Sequence, residues 1–357
     1  MSLLNRCRNL LLCLLVLIAC YYTPSCQQPT SQTAPNTLNE ARVENSTPDL
    51  NTICQNLFKE MKNMTAQRTT FALEQINQDT RMCLPLMKSS QQKQLMQLSQ
   101  QMYNQFLSVD RTLEQQQAFD DYLHNQSQIP NVQQSYFEQL NIRDQYLLRH
   151  RGQAYIELIE NAEGNMVYRR SPQYLANVFA IYFPEAEKVF MQELASQNQS
   201  SLSSQHNIAT PAQEISRRAV FWENYLKAYP NSPFMQDAQF LLQFYTNLLF
   251  IGSPEYPVSK QYDGALDIDV AHMIEIEQLS KHKNSRLGEQ ARLFNQFIEM
   301  NSEQRLRQIR LSKKLYQNVS KNQSNLVEYQ LSKFLNLQTH SSQNLKEIDC
   351  FKDAICH

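Results

Sequence analysis

The chain has 357 residues, 33 basic and 34 acidic side chains for a formal net charge of −1, and only five glycines. Nucleic-acid binding rests on clustered Lys and Arg, which this balance does not supply. Phosphate-cradling loops, dinucleotide-binding turns and nucleophile elbows need Gly at fixed offsets, tight β-hairpins favour it too, and no such cluster exists here, so an all-α body is expected.

In chain order, Arg6 and Arg8 precede an apolar run from Leu10 to Ile18. The run is too short for a bilayer-spanning helix of about 20 residues and has the length of a secretory signal. It ends in Leu17-Ile18-Ala19-Cys20. This order of features resembles the lipobox of bacterial lipoproteins. The resemblance implies cleavage before Cys20, with a diacylglycerol thioether and an amide-linked acyl chain on that residue. Each buried methylene then contributes about 0.8 kcal/mol to membrane attachment. Cys26, after Thr23-Pro24-Ser25, lacks the large apolar residue three positions upstream. Tyr21, not Asp, follows Cys20; in the family an Asp there often retains the lipoprotein in the inner membrane. The expected location is therefore the periplasmic face of the outer membrane of a Gram-negative bacterium. Removing residues 1–19 takes away Arg6 and Arg8, leaving 31 basic residues against 34 acids and a net charge of about −3.

Residues 20–47 are rich in Gln, Thr, Ser, Asn and Pro and have the composition of a polar tether. The body falls into an N-terminal helical region (48–198), a polar loop (199–209) that is a candidate domain boundary, and a C-terminal helical region (210–357). Asp49 is placed to cap a first helix, and a second spans about Thr65 to Met82. A third, Ser89 to about Leu107, carries Leu95, Leu98, Met102, Tyr103 and Phe106 on one stripe. Helices follow near 112–124 and 131–139, then a longer one from Arg143 to Ala162, a turn at Glu163-Gly164-Asn165 and a helix opened by Ser171-Pro172. Another is expected over 185–198.

From Thr210-Pro211, Ile215, Ala219, Trp222, Leu226 and Tyr229 fall at spacings of four, three, four and three, the period of an amphipathic helix. Pro230-Asn231-Ser232-Pro233 turns the chain into a helix that is apolar nearly all round, with Ala238 suited to close approach. The stretch from Trp222 through Tyr229, Pro230 and Ser232 to Ala238 resembles a tetratricopeptide-repeat junction of the kind found in periplasmic envelope lipoproteins, and the resemblance implies a helical hairpin over 212–251. Gln243 stands where those repeats usually have Gly, and no second copy lies 34 residues on. A faint echo occurs in Tyr182-Phe183-Pro184-Glu185-Ala186. The architecture expected is an irregular helical bundle or a repeat-like helical array. Helices near 267–281, 285–300, 302–320 and 323–337 complete it. Along 302–320 and just beyond, Arg307, Arg310, Lys314 and Lys321 gather on one side of the wheel, a candidate face for an anionic partner such as lipid headgroups or an envelope glycan.

Once Cys20 is acylated, the remaining thiols are Cys26, Cys54, Cys83, Cys350 and Cys356. Cys54 and Cys83 are placed to close a helical hairpin. An unbroken helix would hold the Cα atoms of Cys350 and Cys356 about 9 Å apart, too far for a bridge, so that helix breaks or the C-terminus is stapled elsewhere. No His pair has the spacing of a helical zinc site, and neither Asp120 with His124 nor Asp267, Asp269 and His272 supplies enough ligands for a metal. Lytic transglycosylases also combine a helical body with catalysis, but that chemistry needs an acid in an apolar, Gly- and aromatic-lined cleft, and Asp120-Asp121 sit among polar neighbours. No enzyme, metal or cofactor is expected. The expected function is a lipid-anchored scaffold or adaptor for envelope proteins or peptides. The alternative is direct binding of an envelope glycan or lipid through the basic face.

Overall fold

The scarcity of glycine and the helical spacing of apolar residues produce a fold made almost wholly of helices, seen in a computed structural model that describes residues 49–125, 130–160, 165–199, 203–204, 207–208, 210–253, 256–309 and 323–337. Cys20, the tether, Cys26, Arg310, Lys314, Lys321, Cys350 and Cys356 lie outside the described residues. The body opens with α1 (Leu50–Lys62), α2 (Thr70–Cys83), α3 (Ser89–Phe106), α4 (Leu113–His124), α5 (Pro130–Glu138) and α6 (Ile142–Arg149). After a two-stranded hairpin and a short irregular helix come α7 (Glu185–Gln199), α8 (Ala212–Ala228) and α9 (Met235–Phe250). The chain continues through α10 (Val270–Ser280), α11 (Arg286–Glu299), α12 (Ser302–Gln308) and α13 (Gln323–Phe334). None of the described helices is long and apolar enough to cross a membrane.

Local chemistry explains most boundaries. Thr69, Thr112, Asn141, Asp269, Ser285 and Asn301 each accept a backbone N–H at a helix start. Asp49 also stands at an N-cap, but there only its backbone carbonyl is used, accepting from Ile53 N. Cys54 and Cys83 are joined with Cα atoms 5.4 Å apart, closing the α1–α2 hairpin.

Two expected helices take another form. The helix expected from Arg143 to Ala162 stops at Arg149, and Ile156–Glu160 (β1) pairs antiparallel with Met166–Arg170 (β2). Gly152, Ala154 and Tyr155 all have positive φ, which no helix accommodates. The alternation in Ile156-Glu157-Leu158 then suits a strand better. Ser171-Pro172 leads into a π turn (Leu175–Phe179) and a 3₁₀ turn (Ala180–Tyr182), where Tyr174, Leu175, Val178 and Phe179 are all buried. Within the 199–209 loop, Ser203–Ser204 pairs with Asn207–Ile208.

One hydrophobic cluster runs from Leu57 to Leu335, so the helical regions on either side of that loop share a core. Phe190 of α7 stacks on Phe234 at 4.4 Å and tilts against Trp222 of α8 at 5.3 Å. Glu223 of α8 accepts from Ser285 Oγ (2.7 Å) and from the Arg286 and Leu287 amides, so a carboxylate sits at the positive end of α11 and fixes α8 to it. In the N-terminal region, buried Asp144 takes a two-pronged ion pair from Arg111 (2.8 and 2.6 Å) and a hydrogen bond from the Tyr168 hydroxyl (3.0 Å).

Two stability outcomes follow. The cross-link closes a loop with a sequence separation of 29, so its reduction should cost about 3–4 kcal/mol, measured by urea unfolding with and without reductant. A Cβ on Gly288 would lie 2.2 Å from the His282 carbonyl oxygen, which is backbone and cannot step aside. Gly288→Ala should therefore destabilise by about 1–3 kcal/mol, read as a lower urea midpoint at unchanged slope.

Candidate functional site

Helices α8 and α9 form a hairpin, α10 and α11 form a second, and α8 packs against α10. The residues of the proposed repeat junction sit in the first hairpin. Trp222 and Ala238 are fully buried, and Tyr229 is the C-cap of α8. Pro230 and Ser232 form the turn; the Ser232 hydroxyl shares a hydrogen bond with Tyr225 Oη (2.7 Å) and accepts the Phe234 amide (3.1 Å). Ser232 thus caps the turn, and Phe234 occupies the N-cap of α9.

Between α8 and α10 lies an open groove of about 490 Å³, within the range of ligand sites. Gln213, Ser216, Arg217 and Val220 line it from α8, and Glu275, Gln278, Leu279 and His282 from α10 and the turn after it. Each set recurs at helical spacing, so one continuous face of each helix forms a wall. Glu214 also lines it and binds two arginines, accepting from Arg217 Nε and Nη2 (2.7 and 2.8 Å) and from Arg218 Nε (2.7 Å). Its hydrogen bonds with Arg217 are the largest influence; burial, next in size, opposes them, and the hydrogen bond and charge of Arg218 add to the pull, so that its carboxyl is held down at about 2. Arg217 also donates to Glu193 of α7 (3.1 Å), and buried Arg218 donates to Tyr245 Oη (3.2 Å). Glu193 accepts from Gln197, whose carbonyl receives Trp222 Nε1 (3.2 Å). A connected polar network therefore links the groove wall to the buried tryptophan.

Asp237, in the first turn of α9, is buried, and burial raises its carboxyl to about 7.

The structure does not unite the other sequence candidates into a reactive centre. His124 Nδ1 meets the Asp120 carbonyl oxygen, not the carboxylate (2.7 Å). Asp269 caps α10 and holds the His272 ring (2.8 Å), whereas Asp267 accepts from Ser259 Oγ and from the amides of Gln261 and Asp263. Among the described residues no three His, Cys, Asp or Glu converge as metal ligands. Arg307, the described member of the basic face, is exposed and paired with Glu303 at 2.8 Å.

Sequence reasoning did not reach Glu214, Arg217, Arg218, Glu275, Gln278 or His282. One signal was available: Arg218 lies three residues after Ile215 and four before Trp222, on the apolar stripe, where a cation needs a buried partner. Comparison with protein-family models, curated proteins and solved structures gives no match.

Glu214 and Asp237 give stability opposite pH dependences. Asp237 keeps its proton to about pH 7 in the fold, whereas an unfolded aspartate releases it near 4. Stability should therefore fall as pH rises between these values and level off above. Glu214, ionised down to about pH 2, contributes stability that is complete above the unfolded glutamate value near 4.3 and lost as pH falls toward 2. Urea titrations across this range should show Asp237→Asn flattening the decline toward neutrality and stabilising the protein at pH 8. Glu214→Gln should flatten the acid limb and destabilise at neutrality by roughly 3 kcal/mol, because it removes a counter-charge from buried Arg218.

Proposed function

We propose that this chain is a lipid-anchored scaffold or adaptor of the bacterial envelope. In this reading Cys20 carries the acyl groups, residues 21–47 are the tether, and the groove between α8 and α10 receives an extended segment of a partner protein. The observation that carries the reading is the pair of walls. The α8 wall holds Arg217 in place through Glu214 and Glu193, leaving two of its five N–H donors without a partner among the described residues. The facing wall presents the amide of Gln278, the carboxylate of Glu275 and the ring of His282. Amides and a fixed guanidinium suit peptide carbonyls, and Glu275 suits a basic side chain. Val220 and Leu279 add apolar lining. Glu214, held far below the usual carboxylate range by its arginines, is a positioning group and a poor proton donor.

A photo-crosslinking residue at Gln278 in the acylated protein should capture one envelope protein reproducibly. The same probe at exposed Gln239 of α9 should not capture it, and Glu275→Arg should abolish capture. Equal capture at both positions, or none at Gln278, would remove the adaptor reading.

A further inference from the structure

The two walls of the groove run in the same direction, which gives it two chemically different ends. Glu223, in the second half of α8, accepts from the Ser285 hydroxyl (2.7 Å), and Lys227 Nζ donates to the Asn284 carbonyl (3.0 Å). The C-terminal half of α8 therefore lies beside the turn that follows α10, while its first turns face the body of α10. Counting back in step from Glu223 and Ser285, Val220 comes about level with His282, Arg217 with Leu279, and Gln213 with Glu275.

The Gln213 end carries an uncompensated charge. Glu275 is half-exposed and has no hydrogen-bonding or ionic partner among the described residues. The neighbouring charges do not cancel it, because Glu193 and Glu214 are both engaged by Arg217, and Glu214 by Arg218 as well. Three carboxylates thus stand against two guanidiniums, one of them buried. At the other end half-buried Val220 and the exposed ring of His282 face one another, and none of the lining carboxylates lies there. The next acid along α8, Glu223, is committed to the start of α11 and to Lys227.

We infer, on the footing of the adaptor reading, that the segment seated in this groove carries a lysine or arginine side chain at Glu275 and, about three residues along, an apolar side chain at Val220. Gln213 and Val220 are two helical turns apart, about 10 Å, which an extended chain covers in about three residues. In a polyproline-type segment three residues complete one turn, so both anchors face the groove while Arg217 and Gln278 meet the backbone between them. An acid in the first position would set a like charge against Glu275, where Arg217 is already shared between two carboxylates.

The probe is a display library of random octapeptides selected on the acylated full-length protein. Enriched peptides should carry Lys or Arg three positions from a large apolar residue, always in the same order. The most enriched one, made synthetically, should bind about tenfold more weakly once its basic residue is replaced by glutamate. Glu275→Lys should turn the preference at that position from basic to acidic, and Val220→Ser should remove the apolar preference while leaving the basic one. Gln239→Lys, which adds a positive charge on the exposed face of α9, should leave affinity unchanged. Peptides that block capture at Gln278 yet lack the basic and apolar pair, or that are indifferent to Glu275→Lys, overturn the specificity and leave the adaptor reading standing. A library that yields nothing while Gln278 still captures a protein does the same. No peptide together with no capture at Gln278 overturns both.

Discussion

The contact on which the rest of the body depends is Trp222 of α8 lodged between Phe190 and Tyr225. Its ring centroid lies 5.3 Å from Phe190 and 5.7 Å from Tyr225, and Phe190 stacks in turn on Phe234 at the start of α9. Three helices and a turn are thereby fixed by aromatic surfaces, which supply the largest apolar burial per side chain. The indole N–H would be costly without a partner at that depth. Gln197 of α7 provides one, and its other end donates to Glu193, which holds Arg217 at the groove. The shape of the groove is thus set by the same residues that join the two helical regions.

Scarcity of glycine shapes the helix ends as well. Helices often end on a glycine in the left-handed conformation, which frees no carbonyl without a partner. This chain substitutes long donors. Arg143 takes the carbonyl of Phe106 at the end of α3, and Arg292 takes that of Ser280 at the end of α10 (2.8 Å). His124 and His150 place Nδ1 against carbonyls of their own last turns, each at 2.7 Å. Arg305 takes the carbonyls of Gln261 and Tyr262, a segment where Tyr262 itself has positive φ. Arg143, Arg292, His124 and His150, which could suggest chemistry in the sequence, are therefore occupied with terminal carbonyls.

Helical content was legible because it follows from local rules. The spacing along α8 and the all-round apolarity of α9 specified a buried hairpin, and Leu241, Tyr245 and Leu249 are buried as that pattern requires. The β1–β2 hairpin was obscured because Arg143 to Arg149 is a good helical sequence, and no periodicity reveals that three residues soon after take positive φ. Gly152 with the alternation that follows it was the available sign. The groove was less legible. Its walls come from segments separated by some 50 residues, and which polar face of an amphipathic helix meets another is decided by tertiary packing. Only Arg218, a charge on an apolar stripe, pointed there from within one helix.

Glu214 and Asp237 have consequences that separate stability from binding. Glu214 stays ionised far into acid because its arginines favour the charged form, so the α8 wall keeps its charge across any neutral or mildly acidic environment. Asp237 does not line the groove; it bears on Tyr225, which also feels the charges of Glu187 and Tyr229. Ionisation of Asp237 as pH rises toward neutrality therefore weakens the hairpin from the junction side without altering the charges a ligand would meet. An α8 wall of constant charge on a body whose stability drifts with pH separates the two responses. The ion pairs of Glu214 are complete above the acid limb, before the loss of stability through Asp237 has run its course.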